Sequence, residues 1–256
     1  MTPAELRTFL DSEAAKPFSG WDFSHLNGRI VEAPLAWSYP SLILSRLRRA
    51  HPPQSLLDMG TGGGEFLARL QPFPPRTCAT EAWPPNIPIA KERLEPLGVT
   101  VVAIPEDPPT LPFEDGQFDL IINRHEYYVP AEIQRMLAPG GEFITQQVGE
   151  RNDRELKEML GAPLQSEEPW NGEVAARQLA AAGLGITDVR DAAPASRIFD
   201  AGAIAYYFHA LPWEIPDFSI GRYFDQLLAI HRQIERDGFI ETTQHRFLVV
   251  AKKPGN

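Results

Sequence analysis

Apolar residues come in short bursts separated by amphipathic stretches, and from residue 54 onward the alternation is regular. "QSLLDMG" is a brief apolar run ending in glycine, the pattern of a buried strand, and "GEFLARL" follows as a helix with Phe66, Leu67 and Leu70 on one face. "RTCATEAW" then reads as a strand and 86–95 as a helix. "VTVVAIP" reads as a strand leading into a proline-rich loop, and "FDLIIN" as a strand before a helix at 130–138. "GEFITQQVG" is a fifth strand, launched from the turn Pro139-Gly140-Gly141. Five strands separated by short helices predict a doubly wound α/β protein, its parallel sheet covered on both faces.

Downstream, 152–160 and 172–183 read as helices closed by Gly161 and Gly183. "GITDVRDA" is a sixth strand and "TTQHRFLVVAKK" a seventh. The stretch between them is too long for a hairpin; it is aromatic-rich over 199–224 and helical over 219–236. Upstream, 3–14 reads as an amphipathic helix and 18–39 as an irregular, aromatic-rich approach. A helix over 41–50 is stopped by His51-Pro52-Pro53. The expected organisation is an N-terminal helical or lid segment, 1–53, and one domain, 54–256, with a substrate-lid insertion at 194–240.

Composition narrows the class. At 43% hydrophobic and 23% charged, the 256-residue chain is that of a globular protein. No apolar run approaches the ~20 residues that span a bilayer. The N-terminus has no apolar core behind a basic cap, so a cytoplasmic protein without membrane attachment is expected. A net charge of −10 argues against broad nucleic-acid binding. The single cysteine, Cys78, excludes disulfides and a zinc cluster; no metal is expected.

The chemistry starts at "LLDMGTGGGEFL". Glycines at 60, 62 and 64 let the backbone pass close to a ligand. The spacing is D-x-G-x-G-x-G, with Glu65 where the dinucleotide fingerprint requires glycine. Asp58 at the strand end suits a ligand anchored by cationic or hydroxylic groups. Glu81 ends the next strand, where an acidic residue accepts both ribose hydroxyls of an adenosine.

These residues carry a resemblance. "LLDMGTGGGEFL", "ATEAWPPNIPIAKERL", "EDPPTLPFEDGQFDLII" and "MLAPGGEFITQQV" occur in the order and spacing of class I S-adenosylmethionine-dependent methyltransferases of the type 11 kind. The resemblance is tight over roughly 54–148 and covers the flanks only in general pattern. It implies a Rossmann-like seven-stranded sheet, mostly parallel with the last strand antiparallel, and S-adenosyl-L-methionine across the strand C-termini. By resemblance, Gly60, Thr61, Gly62 and Gly64 approach the methionine part of the cofactor. Asp58 helps fix its amino group, Glu81 holds the ribose and Asp107 meets the adenine amino group. Pro108 and Pro109 depart from the family's small residues at that loop. Ala82 and Trp83 stand where apolar residues pack on the adenine.

In that architecture the fourth strand opens under the transferred methyl, so "NRHEYY" at 123–128 surrounds the acceptor. Asn123 is a cofactor contact by backbone or side chain. His125 is the candidate general base with Glu126 orienting it, and Arg124 is a candidate clamp for an anionic acceptor. The alternative is a loop histidine with no catalytic role, since proximity alone supplies much of such a reaction. One of Gln146 and Gln147 must face the cleft by strand alternation, and Gln147 is carried as a substrate contact together with Tyr39, Tyr127, Tyr207 and Trp213. The acidic charge and aromatic lid favour a small-molecule acceptor. An RNA methyltransferase and a non-catalytic cofactor-binding protein are the alternatives. Neither the acceptor atom nor the oligomeric state is legible.

Overall fold

The computed structural model describes residues 1–106, 110–164 and 169–255. Helix α1, Pro3–Ala14, starts in a capping box in which Thr2 and Glu5 satisfy each other's backbone N–H. A three-residue strand, β1 (Ile30–Glu32), precedes α2 (Tyr39–Leu47), which Ser38 caps. Then come β2 (Ser55–Met59), α3 (Glu65–Ala68), β3 (Arg76–Glu81), α4 (Asn86–Leu94), β4 (Thr100–Ala103) and β5 (Phe118–Arg124). The chain continues through α5 (Pro130–Met136), β6 (Leu137–Val148), α6 (Arg154–Leu160), α7 (Gly172–Ala181) and β7 (Gly185–Ala192). It closes with β8 (Ala195–Ile198), α8 (Ala201–Ala210), α9 (Ile220–Asp237), β9 (Ile240–Thr243) and β10 (Arg246–Lys252).

Seven strands form one sheet in the order β4-β3-β2-β5-β6-β10-β7, and β10 runs antiparallel to both its neighbours. All seven expected strands are present. The parallel register pairs Asp58 with Ile122, Met59 with Asn123, and Arg124 with Gln146. The antiparallel register sets Arg246 opposite Val148. The polar ends of four strands therefore line one edge. Leu57, Ile121, Phe143 and Phe247 pack one face of the sheet, and Leu56, Ile122, Ile144 and Leu248 the other.

Three readings need correction. The strand expected from Gly141 starts at Leu137 and runs through the Pro-Gly-Gly turn, slipping register between Phe118 and Leu120. Thr242 and Thr243 belong to β9, not to the last strand of the large sheet. Helix α8 occupies a stretch read only as an aromatic lid. Nearly all its residues are buried, so it lacks the polar face that makes a 3.6-residue period visible.

The second layer is a cap. Strands β1, β8 and β9 make a small antiparallel sheet, and α1, α6, α8 and α9 pack around one apolar cluster that includes Leu6, Leu10, Leu156, Ile204, Phe208 and Leu227. Helix α9 contributes Ile220, Tyr223, Leu227, Ile230 and Ile234, alternating by three and four residues as a one-sided helix requires. Arg29 fastens the parts. Its guanidinium donates to both oxygens of Asp200 at 2.9 and 2.6 Å and to Glu13 at 2.6 Å. The N-terminal segment and the 194–240 insertion thus share one core. Among the described residues no helix is long and apolar enough to cross a membrane.

Candidate functional site

The glycine loop between β2 and α3 is tied to the neighbouring strand: Thr61 N–H donates to the Thr80 carbonyl at 2.9 Å and Gly60 N–H to the Thr80 hydroxyl at 3.3 Å. Gly60, Gly62 and Gly64 all adopt left-handed φ, +69°, +62° and +81°. That alternation explains the D-x-G-x-G-x-G spacing, because each glycine takes a conformation that side chains resist. A Cβ on Gly60 would lie 2.5 Å from Glu126 Cγ, and one on Gly62 would lie 3.1 Å from Trp21 Cβ. Glu126 and the N-terminal segment therefore both close on this loop.

Asp58 is 3% exposed, and burial raises its carboxyl to about 7; Thr61 and Arg124 pull the other way, while Glu81 adds to the rise. Glu81, 4% exposed, accepts from Trp83 N–H at 2.8 Å. Burial likewise raises its pKa, against backbone N–H groups of Trp83, Gly62 and Ala82. A buried carboxylate gripped by backbone at a strand tip has its direction fixed before any ligand arrives. Ala82 is half-buried beside it and Trp83 is exposed. Asp107, expected at the adenine, lies outside the described residues.

At the end of β5, Asn123 is fully buried. Its Oδ1 accepts from Thr145 Oγ1–H at 2.8 Å and from Gln147 Nε2–H at 2.5 Å, and its Nδ2 has no hydrogen-bond partner among the described residues. Tyr39 was expected to meet the acceptor, but the structure gives it another task. It is buried under β5, where its hydroxyl donates to the Asn123 carbonyl at 3.0 Å and accepts from Asn123 N–H at 3.1 Å. Gln147, also carried as a substrate contact, donates its Nε2–H groups to Asn123, Thr145 and the Glu126 carbonyl and so sets the path of the loop. Gln146 turns to the other face and accepts from Trp37 Nε1–H at 2.9 Å.

His125 has φ +63°, one of two non-glycine residues with positive φ among those described; Asp153, at +54°, is the other. Such strain concentrates at functional sites. Burial holds the imidazole pKa well below its ordinary value, and Arg246 and Arg124 add to this. Its Nδ1 has no hydrogen-bond partner among the described residues. Glu126, expected to orient the imidazole, packs on Gly60 and accepts from Tyr127 N–H at 3.0 Å. Arg124 is exposed with its guanidinium 5.5 Å from the Phe66 ring centre, and the Tyr127 side chain is exposed.

Tyr207 and Trp213, expected together, are separated. Trp213 is 50% exposed and stacks on Trp21, with ring centres 6.1 Å apart and planes 5° from parallel, on the glycine-loop side. Tyr207 lines a cavity of about 60 Å³ between the small sheet and α8, donating to Asp153 Oδ2 at 2.9 Å. Asp153, Gln244 and Arg246 also line it, and burial raises the Asp153 carboxyl to about 6. Sequence reasoning left these three out, along with Trp21. Arg246 reaches the site only through the antiparallel register of β10, which no local pattern announces.

A family model described as a methyltransferase domain matches residues 57–145. Demethylmenaquinone methyltransferase of Thermus thermophilus is 31% identical over 121 residues, covering 44% of this chain and 54% of that protein. Protein-L-isoaspartate O-methyltransferase 1 of Marinobacter nauticus is 34% identical over 111 residues, 43% and 50% of the two chains. The chain spans about half the length of the curated relatives it matches. Among solved structures, a Bacillus halodurans C-125 protein provisionally described as a methyltransferase aligns with TM-score 0.61 at 16% identity, covering 85% of this chain and all of that one. The YcgJ protein of Bacillus subtilis aligns with TM-score 0.56 at 19% identity, over 85% and 98%. At those identities the likeness speaks for the fold. Residues 57–145 thus match a methyltransferase domain, and the sheet order with its antiparallel β10 has the Rossmann-like arrangement of these neighbours.

Proposed function

We propose that the protein transfers a methyl group from S-adenosyl-L-methionine to a small-molecule acceptor, leaving S-adenosyl-L-homocysteine. The observation that carries this reading is the buried Glu81 carboxylate beside the left-handed glycine loop, with Asp58 buried one strand away. The residues present fit the cofactor. Glu81 accepts from the ribose hydroxyls, and Asp58 answers the amino group. Gly60, Thr61, Gly62 and Gly64 give the methionine part a close approach, and Ala82 packs on the adenine. Asn123 Nδ2, a buried donor without a partner among the described residues, is available to a cofactor oxygen. The acidic net charge supports a small acceptor over a polyanion.

When bound, the cofactor supplies a methyl already activated on sulfonium, with a neutral leaving group. What remains for the chain is to position the reactants and exclude water. Tyr39 and Gln147 hold the end of β5 in register, and Trp21 and Trp213 cover the glycine loop. His125 is neutral at physiological pH because burial and two arginines oppose its protonation. The same surroundings make it a weak base, so the reading favours proximity. His125→Gln is then expected to keep the rate within about tenfold on an acceptor found by a methyl-transfer screen. A loss on the order of 10²–10⁴-fold would instead make His125 the base.

Isothermal titration with S-adenosylmethionine tests the cofactor assignment directly. Glu81→Ala is expected to weaken binding about 10- to 100-fold, the worth of hydrogen bonds to a charged acceptor. An unchanged affinity would refute the ribose role, and no binding by the unmodified protein at millimolar cofactor would end the reading.

A further inference from the structure

We propose that the cavity bounded by Asp153, Tyr207, Gln244 and Arg246 is a recognition subsite for the amino group of a small acceptor. The identity of the ligand as an acceptor rests on the methyltransferase reading; the chemistry of the subsite does not. The cavity lies at the functional edge of the large sheet. Arg246, on its wall, pairs with Val148 at the end of β6, and its charge bears on His125. Its volume of about 60 Å³ admits roughly four or five water-sized groups, enough for a compact head but not for a ring system.

The lining asks for a donor. Gln244 is 6% exposed and lines the cavity, yet its Oε1 accepts no hydrogen bond among the described residues. A buried carbonyl oxygen in that state lacks the donor such groups normally have, and its residue stands on the cavity wall. Asp153 accepts from Tyr207 Oη–H at 2.9 Å and from Asn152 Nδ2–H at 2.7 Å, both on Oδ2, which leaves Oδ1 to a donor from the cavity. Glu32 adds a second carboxylate to the wall.

The single guanidinium does not offset this. Arg246 donates to Asn152 Oδ1 and to the His245 carbonyl, and its other nitrogen faces Glu32 at 3.5 Å. An anion would have to displace those acceptors while facing two carboxylates and the Gln244 oxygen. An ammonium meets all of them as partners. Nearby, Lys157 is already paired with Glu214 at 2.7 Å and offers an anion nothing further. Asp153 holds left-handed backbone to present its carboxylate here, and with burial raising that carboxyl only to about 6 it is ionised at pH 8 and attracts a cation. Three isoleucines, Ile30, Ile198 and Ile204, supply apolar wall together with Leu156, and Ser196 adds a hydroxyl-bearing residue.

Those isoleucines also report occupancy. In the full chain carrying ¹³C-methyl isoleucine, ethanolamine hydrochloride at pH 8 is expected to shift the signals of all three saturably, and sodium acetate at equal ionic strength is not. Gln244→Leu and Asp153→Asn should each weaken the ethanolamine effect about tenfold, the loss of one charge-assisted hydrogen bond, while the affinity for S-adenosylmethionine stays within about twofold. If Asp153→Asn does not fold, Gln244→Leu carries the comparison. Saturation by acetate, silence of the three methyls towards ethanolamine, or unchanged ethanolamine affinity in Gln244→Leu would each overturn the assignment. Ethanolamine binding in a protein that takes no S-adenosylmethionine would uphold the subsite and remove only the cofactor reading.

Discussion

Replacing Asp58 by asparagine is expected to stabilise the ligand-free protein, and to do so far more at pH 8 than at pH 5. Burial raises this carboxyl from near 3.8 to about 7. A group whose pKa is higher folded than unfolded favours the native state fully below the unfolded value. It loses that contribution as pH rises through the folded value. The window here runs from about pH 4 to pH 7. At about 1.4 kcal/mol for each pH unit, the stability forfeited by pH 8 is on the order of 4 kcal/mol. Asparagine carries no proton to lose, so it removes the pH-dependent part. A melting point higher by roughly 6–12 °C at pH 8, with less than half that gain at pH 5, is expected by scanning calorimetry. Equal gains at both pH values, or a loss at pH 8, would show that the Asp58 carboxylate is solvated in the ligand-free fold. The same substitution should weaken S-adenosylmethionine binding, because the charge that strains the empty site is the one proposed to hold the cofactor's amino group.

Gly149→Ala should cost about 3–5 kcal/mol by reversible denaturation, combining overpacking with lost buried hydrogen bonds. An added Cβ would fall inside van der Waals contact of His245 Nδ1 and Cε1. His245 is 0% exposed and cannot step aside. Its Nδ1 accepts from Arg151 N–H at 3.1 Å, which leaves Nε2–H to donate to Asp191 Oδ1 at 3.0 Å. Asp191 in turn accepts from Gly172 N–H at 3.1 Å, joining β7, α7 and the loop after β6. The adjacent residue is Arg246, so a displaced imidazole would also disturb the wall of the cavity. A cost below about 1 kcal/mol would mean that the loop after β6 yields and that His245 is not pinned.

The large sheet was legible because its strands are short apolar runs, and β2, β3 and β5 are each followed by a helix. The glycine loop and Glu81 were legible for a related reason: a ligand that approaches the backbone leaves a local trace in spacing. The cap was not. Helix α8 is apolar on nearly every side, and β1, β8 and β9 have three or four residues each, too few for alternation to register. Gln147 looked like a ligand contact because polar residues near a strand end do, and Tyr39 because the N-terminal segment of the resembled family closes over the site. Their partners, the Asn123 backbone and side chain, become visible only when the strands are paired. Arg246 and Gln244 lie more than 100 residues from His125 in sequence, and antiparallel pairing at the last strand is what brings Arg246 to the site.

The small sheet couples distant parts of the chain: Ile30 pairs with Ile198, and Ala195 with Thr243. During synthesis, β2 to β5 and the glycine loop leave the ribosome as one continuous stretch that can form its parallel core early. The cavity wall waits for β9 and Arg246, near the end of the described chain. Closing such long loops is slow, and until it happens the apolar faces of α1 and α6 lack their partners. A nascent chain thus carries the glycine loop well before it carries the cavity, and the cap helices are the surface that chaperones would need to shield in the interval.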